Sequence, residues 1–226
     1  MQAVMRAGLR YLPLLLLALA WEAVTRLNLV DTSALPPLSK VAVAWIDLIR
    51  GGELIDNAKA SLYRGSVGLL LAIFGGGGLG LLTARWRLLD IFVNPLVELF
   101  YPLPKSALIP VTIGAYNGAR GSDHALVWSA RSMGANRLRM MWDVILPSAL
   151  PELLNGIRTA LALAFILLVS SELIVSQQGF GYLIGYLGAT GSYEGMYAVA
   201  LTVAFLGFAA DRVYQLFMQW LLAWRE

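Results

Sequence analysis

The chain has no cysteine and a single histidine, His124, in 226 residues. That excludes disulfides and thiolate metal sites, and it leaves too little for a histidine-based metal centre. Charge is scarce as well: 14% of residues are Asp, Glu, Lys or Arg, against 58% hydrophobic. With a mean hydropathy of +0.68, such a chain cannot clothe a solvated surface, and it belongs in a bilayer. No Gly-x-x-x-x-Gly-Lys-Ser/Thr run occurs, so the chain carries no phosphate-binding loop of its own and any ATP is handled by a partner. A dyad alternation of apolar and polar residues is missing too, which argues against a transmembrane barrel and for helices, whose backbone groups are satisfied internally. The 17 Lys and Arg only slightly outnumber the 14 Asp and Glu, a balance that speaks to membrane orientation and not to nucleic acid.

What is present reads as an all-α membrane protein forming one transmembrane domain over 1–226, with about five visible spans at 11–29, 62–83, 88–113, 153–175 and 196–220. Arg6 and Arg10 precede the first apolar run, and Ala18-Leu19-Ala20 imitates a signal-peptidase site. Hydrophobicity continues past it through Trp21, Ala23 and Val24, so a retained span is expected. After the Pro36-Pro37 break, Val41, Trp45, Leu48 and Ile49 interleave with Asp47 and Arg50, a pattern for a helix lying at the interface. Glu22 and Arg26 are one turn apart and predict an intrahelical pair. The run Gly75-Gly76-Gly77-Gly78 with Gly80 predicts close helix packing, with a local bend as the alternative.

Charge and crossing parity then disagree. Arg85-Trp86-Arg87 forms a basic turn, and Arg120, Arg131, Arg137 and Arg139 mark a second basic loop, so the positive-inside rule puts both in the cytoplasm. A single crossing over 88–113 separates them, and the interval is too short for two. Two escapes remain: a re-entrant segment broken at Pro102, Pro104 and Pro110 and enclosed by protein, or a missing span.

The second basic loop carries the most informative spacing. Trp128-Ser129-Ala130 is followed by three residues, Gly134, nine residues and Val144-Ile145-Leu146-Pro147. This resembles the EAA loop of ABC-importer permeases, whose pattern is Glu-Ala-Ala, three residues, Gly, nine residues, Ile, any residue, Leu-Pro; Trp128, Ser129 and Val144 depart from it. The resemblance extends from Leu35-Pro36-Pro37 onward, through Tyr101-Pro102-Leu103-Pro104-Lys105 and Gln178-Gly179-Phe180-Gly181-Tyr182-Leu183. It is nearest to the nitrate, sulfonate and taurine branch.

The resemblance implies a type I ABC-importer transmembrane domain, with a sixth span missing between Ile113 and Gly114 through a natural or engineered deletion or residues left out of the numbered chain. It implies a bacterial inner-membrane permease subunit that is not itself an enzyme. Its partners would be a cytoplasmic ABC ATPase dimer holding ATP and Mg, a second permease copy, and a periplasmic or lipid-anchored solute-binding protein. The cargo would be a small anion or organic solute, sulfonate-, taurine- or nitrate-like, moved by alternating access. The segment 114–147 would be the cytoplasmic coupling loop, with Ser129, Ala130, Arg131, Gly134, Arg137, Val144, Leu146 and Pro147 contacting the ATPase. Ala130 and Gly134, four apart, would share one small helical face. The arginines, Arg139 included, would pair with carboxylates, while Pro147 and Pro151 would mark a bend back to the membrane.

Ser170, Ser171 and Glu172 form the most polar stretch of the 153–175 span and are candidates for the substrate path. The alternative is that Glu172 bonds nearby backbone or a base such as Arg64 or Lys105, while the serines bond their own helix. Ser122-Asp123-His124 suggests a hydrolase only by adjacency, which does not make a triad. A secondary transporter or channel subunit without ATPase partners is the other functional class. It calls for internal repeats or paired broken helices, and the glycine run has no counterpart elsewhere in the chain.

Overall fold

The computed structural model describes residues 2–32, 34–100, 108–121 and 124–223. Every regular element among them is helical: α1 (Gln2–Arg26), α2 (Leu38–Arg50), α3 (Glu53–Leu71), α4 (Gly77–Arg85), α5 (Arg87–Phe100), α6 (Leu108–Arg120), α7 (His124–Ser132), α8 (Arg137–Met140), α9 (Leu146–Val175), α10 (Phe180–Ala189) and α11 (Tyr193–Leu221). Single π turns at Ala72–Gly76 and Met141–Ile145 join α3 to α4 and α8 to α9 without a break. Among the described residues, three continuous stretches are long and apolar enough to cross a membrane, Glu53–Ala84, Met141–Val175 and Tyr193–Leu221. They contain the spans expected at 62–83, 153–175 and 196–220. Their outward side chains include Phe74, Ile166, Ile174, Phe205 and Trp220, which suits lipid and not water.

The other two expected spans come out differently. Helix α1 ends at Arg26, because Asn28 adopts a left-handed backbone (φ 52°) that lets Asn28 N–H donate to the Thr25 carbonyl and Leu29 N–H to that of Val24. The stretch 88–113 is divided between α5 and α6, of 14 and 13 residues, with 101–107 outside the described residues. Ile113 and Gly114 are consecutive inside α6.

The chain divides into two compact units, Met1–Ala60 with Ser171–Ala204, and Ser61–Ser170 with Phe205–Glu226. The first is held by side chains reaching across to backbone and hydroxyl groups. Trp21 Nε1 donates to the Pro36 carbonyl at 3.0 Å, Trp45 Nε1 to Thr202 Oγ1 at 3.0 Å, and Tyr197 OH to the Ala34 carbonyl at 3.2 Å. Glu22 pairs with Arg26 as expected, at 2.6 Å, and also accepts the Ser39 N–H and Oγ–H at 3.1 and 2.8 Å. It thereby satisfies an orphan amide in the first turn of α2, where helix polarity favours a negative charge.

The second unit is held by close backbone approach. Its core is Ala72, Val111, Leu154, Ile157 and Ala160, with Leu69, Leu153 and Tyr214 packed against it. A Cβ added at Gly80 of α4 would lie 2.3 Å from the Thr112 carbonyl oxygen, and one at Gly114 would lie 2.6 Å from that of Glu152. Gly118 and Gly156 meet backbone at 2.6 and 2.5 Å in the same way. Side chains are thus excluded at four positions on two helix crossings, and the helices gain van der Waals contact where lipid supplies no hydrophobic drive. Arg158 and Asp211 add a two-pronged pair at 2.8 and 3.2 Å between α9 and α11.

Candidate functional site

The EAA-like spacing folds as a helix, a capped turn and a second helix. Helix α7 carries Ser129, Ala130 and Arg131, with Ser129 and Arg131 exposed and Ala130 buried. Gly134 stops it: φ is +78°, Gly134 N–H donates to the Arg131 carbonyl at 2.9 Å, and Ala135 N–H to the Ala130 carbonyl at 3.0 Å. This pair of bonds is a Schellman closure, and glycine is favoured there because a Cβ strains the left-handed backbone. Two residues on, Asn136 Oδ1 accepts the Arg139 N–H at 2.8 Å and caps α8. Sequence periodicity put Ala130 and Gly134 on one small outer face; the structure corrects this. Ala130 packs inward, and Gly134 is the stop residue beyond the helix.

The second half of the spacing lies on the way into the membrane. Arg137 opens α8, its side chain and that of His124 lying outside the described part. Arg139 faces Asp143 at 3.9 Å one turn on. Val144 sits in the π turn and accepts the Ser148 Oγ–H at 2.6 Å, while Leu146 and Pro147 begin α9 and are half-buried. Neither Pro147 nor Pro151 ends the helix. Pro147 occupies the first turn of α9, and Pro151 is taken into a helix that continues to Val175. A π turn lies just before α9.

The exposed surface of this element is unexpectedly apolar. Leu126, Trp128, Met133 and Trp142 are 53%, 70%, 78% and 62% exposed, on the segment that also carries Arg131 and Arg139. Trp128, where the motif resembled has Glu, is among them. At the base of the element, Arg120 lies 3.9 Å from Asp90, donates to the Tyr116 hydroxyl and lies over its ring. Burial first, then its bond to Asp90, pushes the Tyr116 phenol above its ordinary value.

Glu172 is buried, and its carboxylate accepts the Gly181 N–H at 3.1 Å in the first turn of α10. Gly179, at φ +118°, lies directly over it; a Cβ there would be 2.4 Å from the carboxylate. Asn57 Oδ1 accepts the Gly179 N–H at 2.7 Å, so α3 and α9 together grip the start of α10. Ser170 is exposed and donates to the Ile166 carbonyl at 2.8 Å in its own helix; Ser171 is exposed. The three residues adjacent in sequence therefore point different ways. Lys105, Ser122 and Asp123 lie outside the described residues. Gly114 and Gly118 were passed over in the sequence, although their small-xxx-small spacing was the signal for a packed helix.

Helices of membrane length and apolarity put this protein in the class of helical membrane proteins. Residues 105–222 match the family described as binding-protein-dependent transport system inner membrane component, and the chain belongs to that family. It is 28% identical over 239 residues to the putative aliphatic sulfonates transport permease protein SsuC of Bacillus subtilis (strain 168), covering 95% of this chain and 86% of that one. It is 30% identical over 245 residues to the protein of the same description from Escherichia coli (strain K12), covering 98% and 93%. The taurine transport system permease protein TauC of Escherichia coli (strain K12) is 28% identical over 225 residues, covering 85% and 82%. The chain is thus an inner-membrane permease of the ABC-importer type.

Proposed function

We propose that this chain is the membrane-spanning subunit of an ATP-driven importer for a small organic anion of the sulfonate class, and that α7 and α8 receive the movement of a cytoplasmic ATPase pair. The observation that carries the reading is the double cap at Gly134 and Asn136, which makes a stiff protruding helix pair from residues at the family's spacing. Stiffness matters because a flexible loop would absorb the displacement it has to transmit. Ser129, Arg131, Arg137 and Arg139 would meet carboxylates on the partner, while Val144, Leu146 and Pro147 join the element to α9. ATP and Mg reside in the partner, a second copy of this chain completes the translocation path, and an external solute-binding protein delivers the cargo. Alternating access then follows from rigid-body movement of the helices attached to the element.

The sulfonate class rests on the relatives' descriptions. Ser170, exposed on α9, and Ser171 beside it belong to the proposed path; Glu172 supports them by fixing α10. Co-expression with neighbouring ATPase and binding-protein genes, followed by purification, tests the assembly. The ATPase subunits should accompany the wild-type chain, and Gly134→Arg should lose both them and uptake. If Gly134→Arg retains the subunits and full uptake, the docking assignment is wrong.

A further inference from the structure

The conflict between charge and parity around 87–120 has its answer in how α6 packs. A Cβ added at Gly77 would lie 3.8 Å from Val111, and one at Gly80 would meet Thr112, Ala115 and Tyr116, so α4 and α6 run in the same direction. Gly156 meets Pro110 and Gly114, whereas Gly118 meets Ala149 and Glu152, so α6 and α9 run oppositely. Arg120, the last residue of α6, lies 3.9 Å from Asp90 in the first turn of α5. The end of α4, the start of α5, the end of α6 and the start of α9 therefore share one end of this unit.

A full crossing between Asp90 and Arg120 would part them by about 30 Å of hydrocarbon. Two full crossings would need roughly 40 apolar residues, and the interval 87–120 is shorter than that. At 14 and 13 residues, α5 and α6 reach about 21 and 20 Å, each well under the membrane's thickness. The relatives supply an independent measure. The alignments of 239 and 245 residues use 95% and 98% of this chain, so each leaves about 24 positions of the relative with no counterpart here, a length equal to about one crossing.

We infer that α5 begins and α6 ends on the same membrane face, and that α6 is a part-depth helix linking α7 and α8 to α4 and α9 through Gly80, Gly114, Gly118 and Gly156. The missing length and the charge pattern then agree. Arg85, Arg87, Arg120, Arg131 and Arg139 all fall on the cytoplasmic side, as the positive-inside rule requires. The segment is tolerated at membrane depth because α6 is lodged between α4 and α9, with protein in place of lipid on those sides.

The inference needs the chain to lie in a membrane but does not depend on an ATPase partner, so it can fail while the coupling assignment stands. The natural absence of cysteine allows a direct test. Single Trp86→Cys, Trp128→Cys, Leu103→Cys and Ser192→Cys variants are probed with a membrane-impermeant maleimide in right-side-out and inverted vesicles. Trp86→Cys and Trp128→Cys should be labelled in inverted vesicles with loss of labelling in right-side-out ones, Ser192→Cys should show the reverse, and Leu103→Cys should stay unlabelled from outside. Should Trp128→Cys fail to accumulate, Met133→Cys, at a 78% exposed position, reports the same face. Labelling of Trp86→Cys and Trp128→Cys from opposite sides, or of Leu103→Cys from outside, overturns the inference.

Discussion

The two units of this permease solve the same problem by opposite means. Around α1, α2 and α10, polar side chains supply the order: Glu22 and Glu172 each neutralise the first turn of a later helix, and Asn57, Trp21, Trp45 and Tyr197 reach specific acceptors and donors. Around α4, α6 and α9 the side chains withdraw, and glycines let backbones touch. The difference teaches where tolerance lies. A hydrogen bond can be replaced in part by a smaller polar group, whereas a backbone contact leaves no volume for even one methyl.

That contrast predicts the largest effects at the glycines. Gly114→Leu or Gly156→Leu must push α6 and α9 apart, at a cost of about 3 kcal/mol or more. The variant should fail to accumulate as folded protein, measured by thermal stability in detergent. Next comes Glu172→Ala, which strands the Gly181 amide in a buried site and should cost about 1–3 kcal/mol. Glu172→Gln, which keeps an acceptor, should recover part of that loss; equal loss in both variants would assign the role to charge. Gly134→Ala strains the left-handed stop residue by roughly 1 kcal/mol, and Gly134→Asn should cost less because Asn tolerates that backbone. Asn136→Ala should cost about 1 kcal/mol through the lost cap. Arg139→Ala removes an exposed pair at 3.9 Å and should change stability by less than about 0.5 kcal/mol. If it nevertheless abolishes ATPase retention, its contribution lies in the partner contact.

Much of this was legible in the sequence, but unevenly. Hydropathy found three spans that the structure contains, because a long apolar run has few alternatives in lipid. It merged α5 and α6 into one span, since hydropathy does not register the direction of a helix. The interval between Trp128 and Pro147 gave the location of the proposed coupling element. It could not say that Gly134 ends a helix, because four-residue spacing fits a continuing helix as well as a stopped one, and only the sign of φ separates them. Pro147 and Pro151 were read as a bend; the helix continues through both, and a π turn at Met141–Ile145 precedes it. Glu172 stood out as an ionisable residue in an apolar run. Its partner, an amide nine residues onward, depends on how α10 folds back and is invisible to periodicity.

Cross-linking from Met133, exposed at the tip of the proposed coupling element, is the most direct measurement. A Met133→Cys chain, co-expressed with the proposed ATPase partner and treated with a short cysteine-to-lysine cross-linker in inverted vesicles, should give a permease–ATPase adduct whose yield changes with ATP. No adduct from Met133→Cys, with the ATPase bound to the membrane and cross-linking elsewhere on the chain, would contradict the assignment of α7 and α8 as the coupling element.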